Sequence, residues 1–502
     1  MTQTLKDASV LVVGAGIMGA GIAQVAAQAG HSVRLFDTRE GAAAQAKDKL
    51  TQTLQGLAAK GKLSAEAAEQ TLSRIIAITT LEEATGVGLV VEAIVEKLDA
   101  KRGLFQQLEA IVAADCVLAT NTSSISVTAI ANGLQHPQRL VGMHFFNPVP
   151  LMKLVEVVSG LQTDAAVATV IFDLSKDWGK VPVYARSTPG FIVNRIARPY
   201  YAETLALLQE QAAKPAVLDA CLRAAGFRMG PCELMDLIGH DTNFSVTQSV
   251  FEANFYDKRF VPSLVQRELV DGGLLGRKSG RGFYDYAEGV STPELEAVQP
   301  VELPTAQLLR VHGQGPVADR LVATLLQAKQ AFLRVPSSDW VGLCVEGAQL
   351  RLTDGRTASQ LGVEVAVFDL PLNPAADATL AWAPSLRASP AWRRAAPRWL
   401  ATLGFKPLRV ADTPALVVAR TLAMLINEAA DAVQQGVCTQ DGADAAMKLG
   451  VNYPAGPFEW LAQWSTPAVL GVLDALDTHY RGERYRVSPW LRQRPWMDME
   501  ST

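Results

Sequence analysis

The segment that most constrains this chain is Val10-Leu-Val-Val-Gly14-Ala-Gly16-Ile-Met-Gly19, an apolar run that ends in G-x-G-x-x-G and passes at once into an Ala- and Gln-rich stretch. That order calls for a strand, a tight turn and a helix. Gly14 permits the turn, Gly16 lets a ligand approach the backbone, and Gly19 allows close packing of helix on strand. The free N–H groups and positive dipole end of such a helix suit a pyrophosphate. Glycine turns also occur for purely structural reasons, so the pattern alone is weak. Here it has its flanking strand and helix, and Asp37 closes the next apolar run downstream of Gly19. A carboxylate there binds both ribose hydroxyls and repels a 2′-phosphate, favouring NAD over NADP, although Arg39 nearby leaves NADP some room.

The same texture continues to about residue 185. VLVVG (10–14), SVRLFD (32–37), GLVVEA (88–93), VLATN (117–121) and RLVGMHF (139–145) are near-continuous apolar runs, separated by helical stretches such as 41–60 and 97–113. Runs of this kind suit parallel strands covered on both faces, and the alternation predicts a doubly wound α/β Rossmann domain over 1–185. From Thr188-Pro189-Gly190 the chain turns helical, closing with GRKSGRGFYDY at 276–286, so 186–286 is expected to be an all-α domain. Residues 287–306 lack periodicity and are expected to be a linker.

An internal repeat follows. STPGFIVNR at 187–195 matches DTPALVVAR at 412–420, and GPCELMDL at 230–237 matches GPFEWLAQ at 456–463 in its first positions. Two matches at nearly one offset, separated by helical sequence of the same length, point to duplication. A second all-α domain is therefore expected over 406–502. Between them, 307–405 reads as a degenerate Rossmann-like unit: Gly313 and Gly315 persist, but Ala318 stands where the third glycine would fall and Pro316 lies just inside the turn.

The chain has 502 residues, 49% hydrophobic and 19% charged, enough for several buried cores. Its net charge of −4 argues against a nucleic-acid binder held by bulk electrostatics. The arginine-rich tail (Arg481, Arg484, Arg486, Arg492, Arg494) is broken by acidic residues and reads as a packed terminal segment. Five scattered cysteines without a CxxC pair suggest reduced thiols, and no leader-like or membrane-spanning apolar segment stands out, so a cytoplasmic protein is expected. No His, Cys and carboxylate cluster has metal-ligand spacing.

The chemistry points to Met143-His-Phe-Phe-Asn-Pro-Val-Pro-Leu-Met-Lys-Leu-Val-Glu-Val-Val158. His144 ends a predicted central strand, where open α/β sheets place their reactive groups. Glu156 interrupts an apolar strand and would be costly there without a partner. Antiparallel pairing through the turn at Pro148 and Pro150 would return Glu156 to His144. By itself, a histidine at a strand end is more often structural, and Asn194 could as well bond its own backbone at a helix start.

This segment, the glycine fingerprint and STPGFIVNR together resemble the (S)-3-hydroxyacyl-CoA dehydrogenase family over about residues 9–286, and more loosely over 406–490. The resemblance implies NAD as cofactor and an acyl-CoA substrate. It implies that His144 is the general base for the 3-hydroxyl and Glu156 its orienting partner, while Ser123 and Asn194 hold the substrate oxygen. It places Glu96 and Lys101 near the nicotinamide ribose, Asn147 and Ser123 near the carboxamide, and Thr53 and Lys60 on the CoA tail. The lysines of that helical arm could equally form a solvated face. The strings FIVNRIARPYYAE, LGVNYP and HYRGERYRVSP resemble the branch acting on 3-hydroxyadipyl-CoA in bacterial phenylacetate breakdown. Short straight chains such as 3-hydroxybutyryl-CoA are the nearest alternative, and a catalytically retired nucleotide-binding protein is the alternative of another class. For an adipyl carboxylate, Arg198 is expected on the face of Asn194, one helical turn on. The repeat carries Ala419 in place of Asn194 and is expected to be inert. Since shorter relatives dimerise through their helical domains, the copy is expected to pack on the first within one chain, with further homodimerisation left open.

Overall fold

The computed structural model describes residues 5–290, 295, 306–372 and 378–499, so most of the expected linker lies outside the described residues. The chain divides into two compact units, Met1–Arg195 with Ala432–Val451, and Ile196–Asp431 with Asn452–Thr502.

The first unit is built on an eight-stranded sheet, ordered β3-β2-β1-β4-β5-β6-β7-β8. The strands are β1 (Val10–Val13), β2 (Val33–Phe36), β3 (Ile75–Ala77), β4 (Leu89–Glu92), β5 (Val117–Thr120), β6 (Leu140–Phe145), β7 (Leu154–Ser159) and β8 (Val181–Arg186). Strands β1 to β6 run parallel, and β1, β4, β5 and β6 are buried along their whole length. That two-sided burial is why they read as unbroken apolar runs rather than alternating ones. The helices Ile17–Gln28 and Ala42–Ala59 cover the β1 side with Ile22, Ala26, Leu50 and Leu54. β7 then returns antiparallel to β6, with β8 parallel to β7. The order reverses between β1 and β4, so the crevice at their carboxyl ends lies at the switch point where such sheets bind ligands.

The second unit holds helices of both copies and a seven-stranded mixed sheet. In sheet order it runs β10 (Leu333–Val335), β9 (Leu309–His312), β11 (Gly342–Val345), β12 (Ala348–Leu352), β13 (Val365–Phe368), β14 (Ala378–Pro384) and β15 (Phe405–Arg409). β15 runs past the boundary expected at 405, because Phe405–Arg409 pairs with β14 as the sheet's last strand. Antiparallel pairings β9·β11 and β11·β12 replace the parallel order of the first sheet, so this Rossmann-like unit is much altered in its first half.

Its second half keeps the repeat in register. The helix Ala165–Asp177 corresponds to Pro390–Thr402, which has equal length and lies at the offset that relates STPGFIVNR to DTPALVVAR. Gly190 and Phe191 have φ of 77° and 46°, and their counterparts Ala415 and Leu416 have 59° and 54°. Two successive left-handed residues that are not both glycine are uncommon, so the turn is a copied structure rather than a chance string.

As expected, the two helical copies meet. Within the second unit Arg420, fully buried, donates to Glu203 at 2.8 Å and to Glu210 at 3.0 Å, and Arg259 pairs with Glu428 at 3.0 Å and with Asp431. Among the described residues no helix is long and apolar enough to cross a membrane.

Candidate active site

The turn after β1 needs its glycines for distinct reasons. Gly14 has φ 104°, and a Cβ there would lie 2.4 Å from the Ala93 carbonyl oxygen. A Cβ on Gly19 would fall 1.7 Å from the Gly14 carbonyl oxygen, so no side chain fits where helix crosses strand. A Cβ built on Gly16 would have no non-neighbouring atom within 4 Å, leaving open space at the amino end of the helix Ile17–Gln28. Asp37 follows β2. Its carboxylate accepts from Ala15 N–H at 2.8 Å and from Arg39 Nε at 3.1 Å. Burial opposes its charge, but the Arg39 guanidinium and the backbone donors outweigh that and hold its pKa below the usual carboxylate value. A crevice of about 750 Å³ runs from Gly14 and Gly16 past Asp37 to Ile94 and Leu104, and these residues fit a dinucleotide.

The β6–β7 pairing sets His144 directly opposite Glu156. Their side chains meet, His144 Nδ1 to Glu156 Oε2, at 2.6 Å. Glu156 is fully buried, and its other oxygen accepts from Ile192 N–H at 3.1 Å and Val193 N–H at 2.9 Å. A carboxylate already taking two amide donors acts as acceptor again towards the ring, so Nδ1 carries the hydrogen and Nε2 keeps its lone pair. Phe146 and Phe191 flank the imidazole with ring centroids at 4.5 Å and 5.9 Å. Their apolar faces leave His144 only 5% exposed.

Glu156 thus links the histidine to the segment carrying Asn194. Asn194 Nδ2 donates to the Ser123 carbonyl at 3.4 Å, so His144, Glu156, Ser123 and Asn194 gather in one unit. Ser123 is held from below by Glu96, whose Oε1 accepts from Ser123 N–H at 2.9 Å and from the Thr122 hydroxyl at 2.7 Å. Burial raises the Glu96 pKa, but Lys101 and these donors pull it lower overall.

The other expected contacts are placed less uniformly. Lys101 is 1% exposed, its ammonium bridging Glu92 at 2.6 Å and Glu96 at 3.1 Å, so it holds the Glu96 carboxylate in place. Asn147 and Thr53 line a groove of about 520 Å³ that also includes Gly16, Arg39 and Lys49. Lys60 does not line it. It caps the carboxyl end of the helix Ala42–Ala59, about 10 Å further along the axis than Thr53. Lys49, one turn before Thr53, is the lysine on the groove. Arg198 opens the helix Arg198–Gln209, in the second unit. Its guanidinium is buried, bonds the Thr247 hydroxyl at 3.1 Å and lies over the Tyr201 ring at 4.9 Å.

Sequence reading missed the supports. Asn121 Oδ1 accepts from Phe145 N–H at 2.8 Å and pins β6 beside His144; its place at the end of VLATN was the available signal. Lys180 ties down the β6–β7 turn through the Val149 and Met152 carbonyls, and burial with neighbouring Lys153 lowers its ammonium to about 8. Nothing in the local sequence announces that contact.

The copied sheet lacks this chemistry. At the offset of the repeat, Asp369 and Ala381 stand where His144 and Glu156 stand in the first copy, and Asp369 N–H bonds the Ala381 carbonyl at 2.9 Å as the strand pairing requires. The Asp369 carboxylate instead takes the N–H groups of Val417, Val418 and Ala419, including the two amides that Glu156 serves in the first copy.

The family model for the 3-hydroxyacyl-CoA dehydrogenase NAD binding domain matches residues 9–188. That for the C-terminal domain matches 190–286 and again 416–495, and the reduced Rossmann-fold domain of 3-hydroxybutyryl-CoA dehydrogenase matches 350–414. The chain is 44% identical over 492 residues to the 3-hydroxyadipyl-CoA dehydrogenase of Escherichia coli K12, covering 98% of both chains. It is 41% identical to a probable 3-hydroxybutyryl-CoA dehydrogenase of Bacillus subtilis, over 56% of this chain and 98% of that one. A crystal structure described as 3-hydroxybutyryl-CoA dehydrogenase from Escherichia coli K12 superposes with a TM-score of 0.89 at 43% identity, over 99% of this chain and all of that one.

Proposed function

The chain belongs to the 3-hydroxyacyl-CoA dehydrogenase family, and from that premise we propose that it oxidises 3-hydroxyadipyl-CoA to 3-oxoadipyl-CoA with His144 as the base. The observation that carries the reading is the 2.6 Å contact between His144 Nδ1 and Glu156, which leaves Nε2 to take the hydroxyl proton. Bound in the crevice, NAD⁺ would supply the acceptor for the hydride that leaves C3. Glu156 fixes the ring and stabilises the imidazolium as the proton arrives. Asn194 and Ser123 hold the substrate oxygen as it becomes a carbonyl. Gly14, Gly16 and Gly19 shape the turn for the pyrophosphate, and Asp37 takes the ribose hydroxyls, favouring NAD over NADP. Glu96, steadied by Lys101, faces the nicotinamide ribose, with Asn147 and Ser123 towards the carboxamide. Thr53 and Lys49 offer a hydroxyl and a charge to the CoA tail along their groove.

The adipyl chain rests on the full-length relative's name; the similar solved structure carries the butyryl name. Measuring kcat/KM by NADH absorbance on 3-hydroxyadipyl-CoA and 3-hydroxybutyryl-CoA separates them. A preference of tenfold or more for the adipyl substrate is expected. A butyryl preference rejects the adipyl reading, and no turnover on either rejects the enzyme in favour of a retired nucleotide binder. Five cysteines without a disulfide, four of them buried, are in keeping with a reducing cytoplasm.

A further inference from the structure

The unit that holds His144 also contains chain belonging, by the repeat, to the second helical copy: Ala432–Val451. The Val437 carbonyl accepts from Arg186 N–H at 2.9 Å, at the end of β8. The Gln435 side chain accepts from the Arg195 guanidinium at 2.9 Å, immediately after Asn194. At the end of the helix Gln440–Gly450, a Cβ on Gly450 would lie 2.7 Å from Leu154 Cδ2, 3.0 Å from Val193 Cγ2 and 3.7 Å from Phe146 Cε1. Leu154 opens β7, Val193 donates to Glu156, and Phe146 packs on the His144 ring. Three supports of the His144–Glu156 pair therefore converge on one residue that has no side chain.

These contacts are half of a reciprocal set. Ala411 N–H bonds the Ala212 carbonyl at 2.8 Å, as Arg186 bonds Val437, and the Arg420 guanidinium meets Glu210 as Arg195 meets Gln435. Each partner is displaced by the offset of the repeat, forward for one and back for the other. Exchange of roles at a constant shift is what a self-complementary contact between two like copies produces. The second copy has lost the histidine, glutamate and asparagine but retains its half of this exchange.

We infer that residues 432–451 are a positioning element of the dehydrogenase site, with Gly450 and Gln435 setting the place of Val193 and Asn194 from the far half of the chain. The inference rests on the reading of Asn194 as the donor to the substrate oxygen. Gly450→Val pushes on Val193 and Leu154. It is expected to lower kcat about tenfold or more while the NADH dissociation constant stays close to that of the parent, with a thermal midpoint lowered by the overpacking. Gln435→Leu is expected to lower kcat severalfold, and Gln435→Glu, which still accepts from Arg195, to restore it.

Asn194→Ala in the same assay separates the two claims. If it retains full kcat, the reading of Asn194 falls. If it loses kcat while Gly450→Val stays within twofold of the parent, the positioning role falls. Should Gly450→Val not fold, the glutamine pair decides, and equal rates for Gln435→Leu and Gln435→Glu overturn the inference.

Discussion

At Gly16 and Gly19 one motif separates into two physical demands. Gly16 has an extended backbone that any residue can adopt, and a Cβ there would face open space. Gly19 has its neighbour's carbonyl where a Cβ would go. Gly16→Ala is therefore expected to keep the parent's melting temperature yet bind NADH about tenfold or more weakly, because the methyl occupies the pyrophosphate's approach. Gly19→Ala is expected to lower the melting temperature as well. Calorimetry with fluorescence titration of NADH checks both, and equal melting losses would show that Gly16 serves only the turn. The His144–Glu156 pair could be anticipated at this scale because a carboxylate inside an apolar strand needs a partner, and strand return through two prolines supplied one. Its second oxygen could not, since the Ile192 and Val193 amides that fill it lie far along the chain, beyond β8.

Among the elements, strands β13 and β14 are where the repeat keeps its shape and exchanges its chemistry. Asp369 is fully buried, and that burial pushes its carboxyl up to about 6 even against four backbone N–H donors. A carboxyl raised above its unfolded value of 3.8 favours the fold most at low pH, and that contribution fades as pH rises through about 6. Asp369→Asn removes this titration. The stability of the parent relative to the variant is thus expected to increase as pH falls from about 8 to 5, by about 1.4 kcal/mol. Denaturant unfolding at both pH values measures it, and a difference independent of pH would reject the buried titration. The strands of the first sheet were legible because burial on both faces leaves a continuous apolar run. β3, with an exposed Ile76, and β8, which has exposed residues along its length, carry no such run and are not legible in the sequence.

Across the molecule, ionic contacts between the helical copies are more deeply buried than surface pairs usually are. Glu203, fully buried, accepts from Arg420 at 2.8 Å, Arg484 at 2.9 Å and the Tyr485 hydroxyl at 3.0 Å. Burial opposes its charge, but the two guanidinium groups outweigh it and keep the carboxyl below its usual pKa. Removing one partner of such a cluster strands the others in a poorly solvated interior. Glu203→Ala is expected to cost about 3–5 kcal/mol in the transition that unfolds the second unit, followed by denaturant titration. A cost under about 1 kcal/mol would mean that Glu210 alone satisfies Arg420.

What the amino-acid order determined by itself was local and periodic: the strand–turn–helix at Gly14, the parallel runs, the repeat, and the histidine with its distant carboxylate. Each of these depends on residues close in sequence, or on a burial pattern that leaves its own imprint. Tertiary structure alone decided which lysine lines the groove, that Arg198 begins a new helix, and that residues 432–451 join the unit of His144. Those outcomes turn on where a helix stops and which of two like copies a segment packs against. Two copies offer nearly the same surface, so only the folded contacts choose between them.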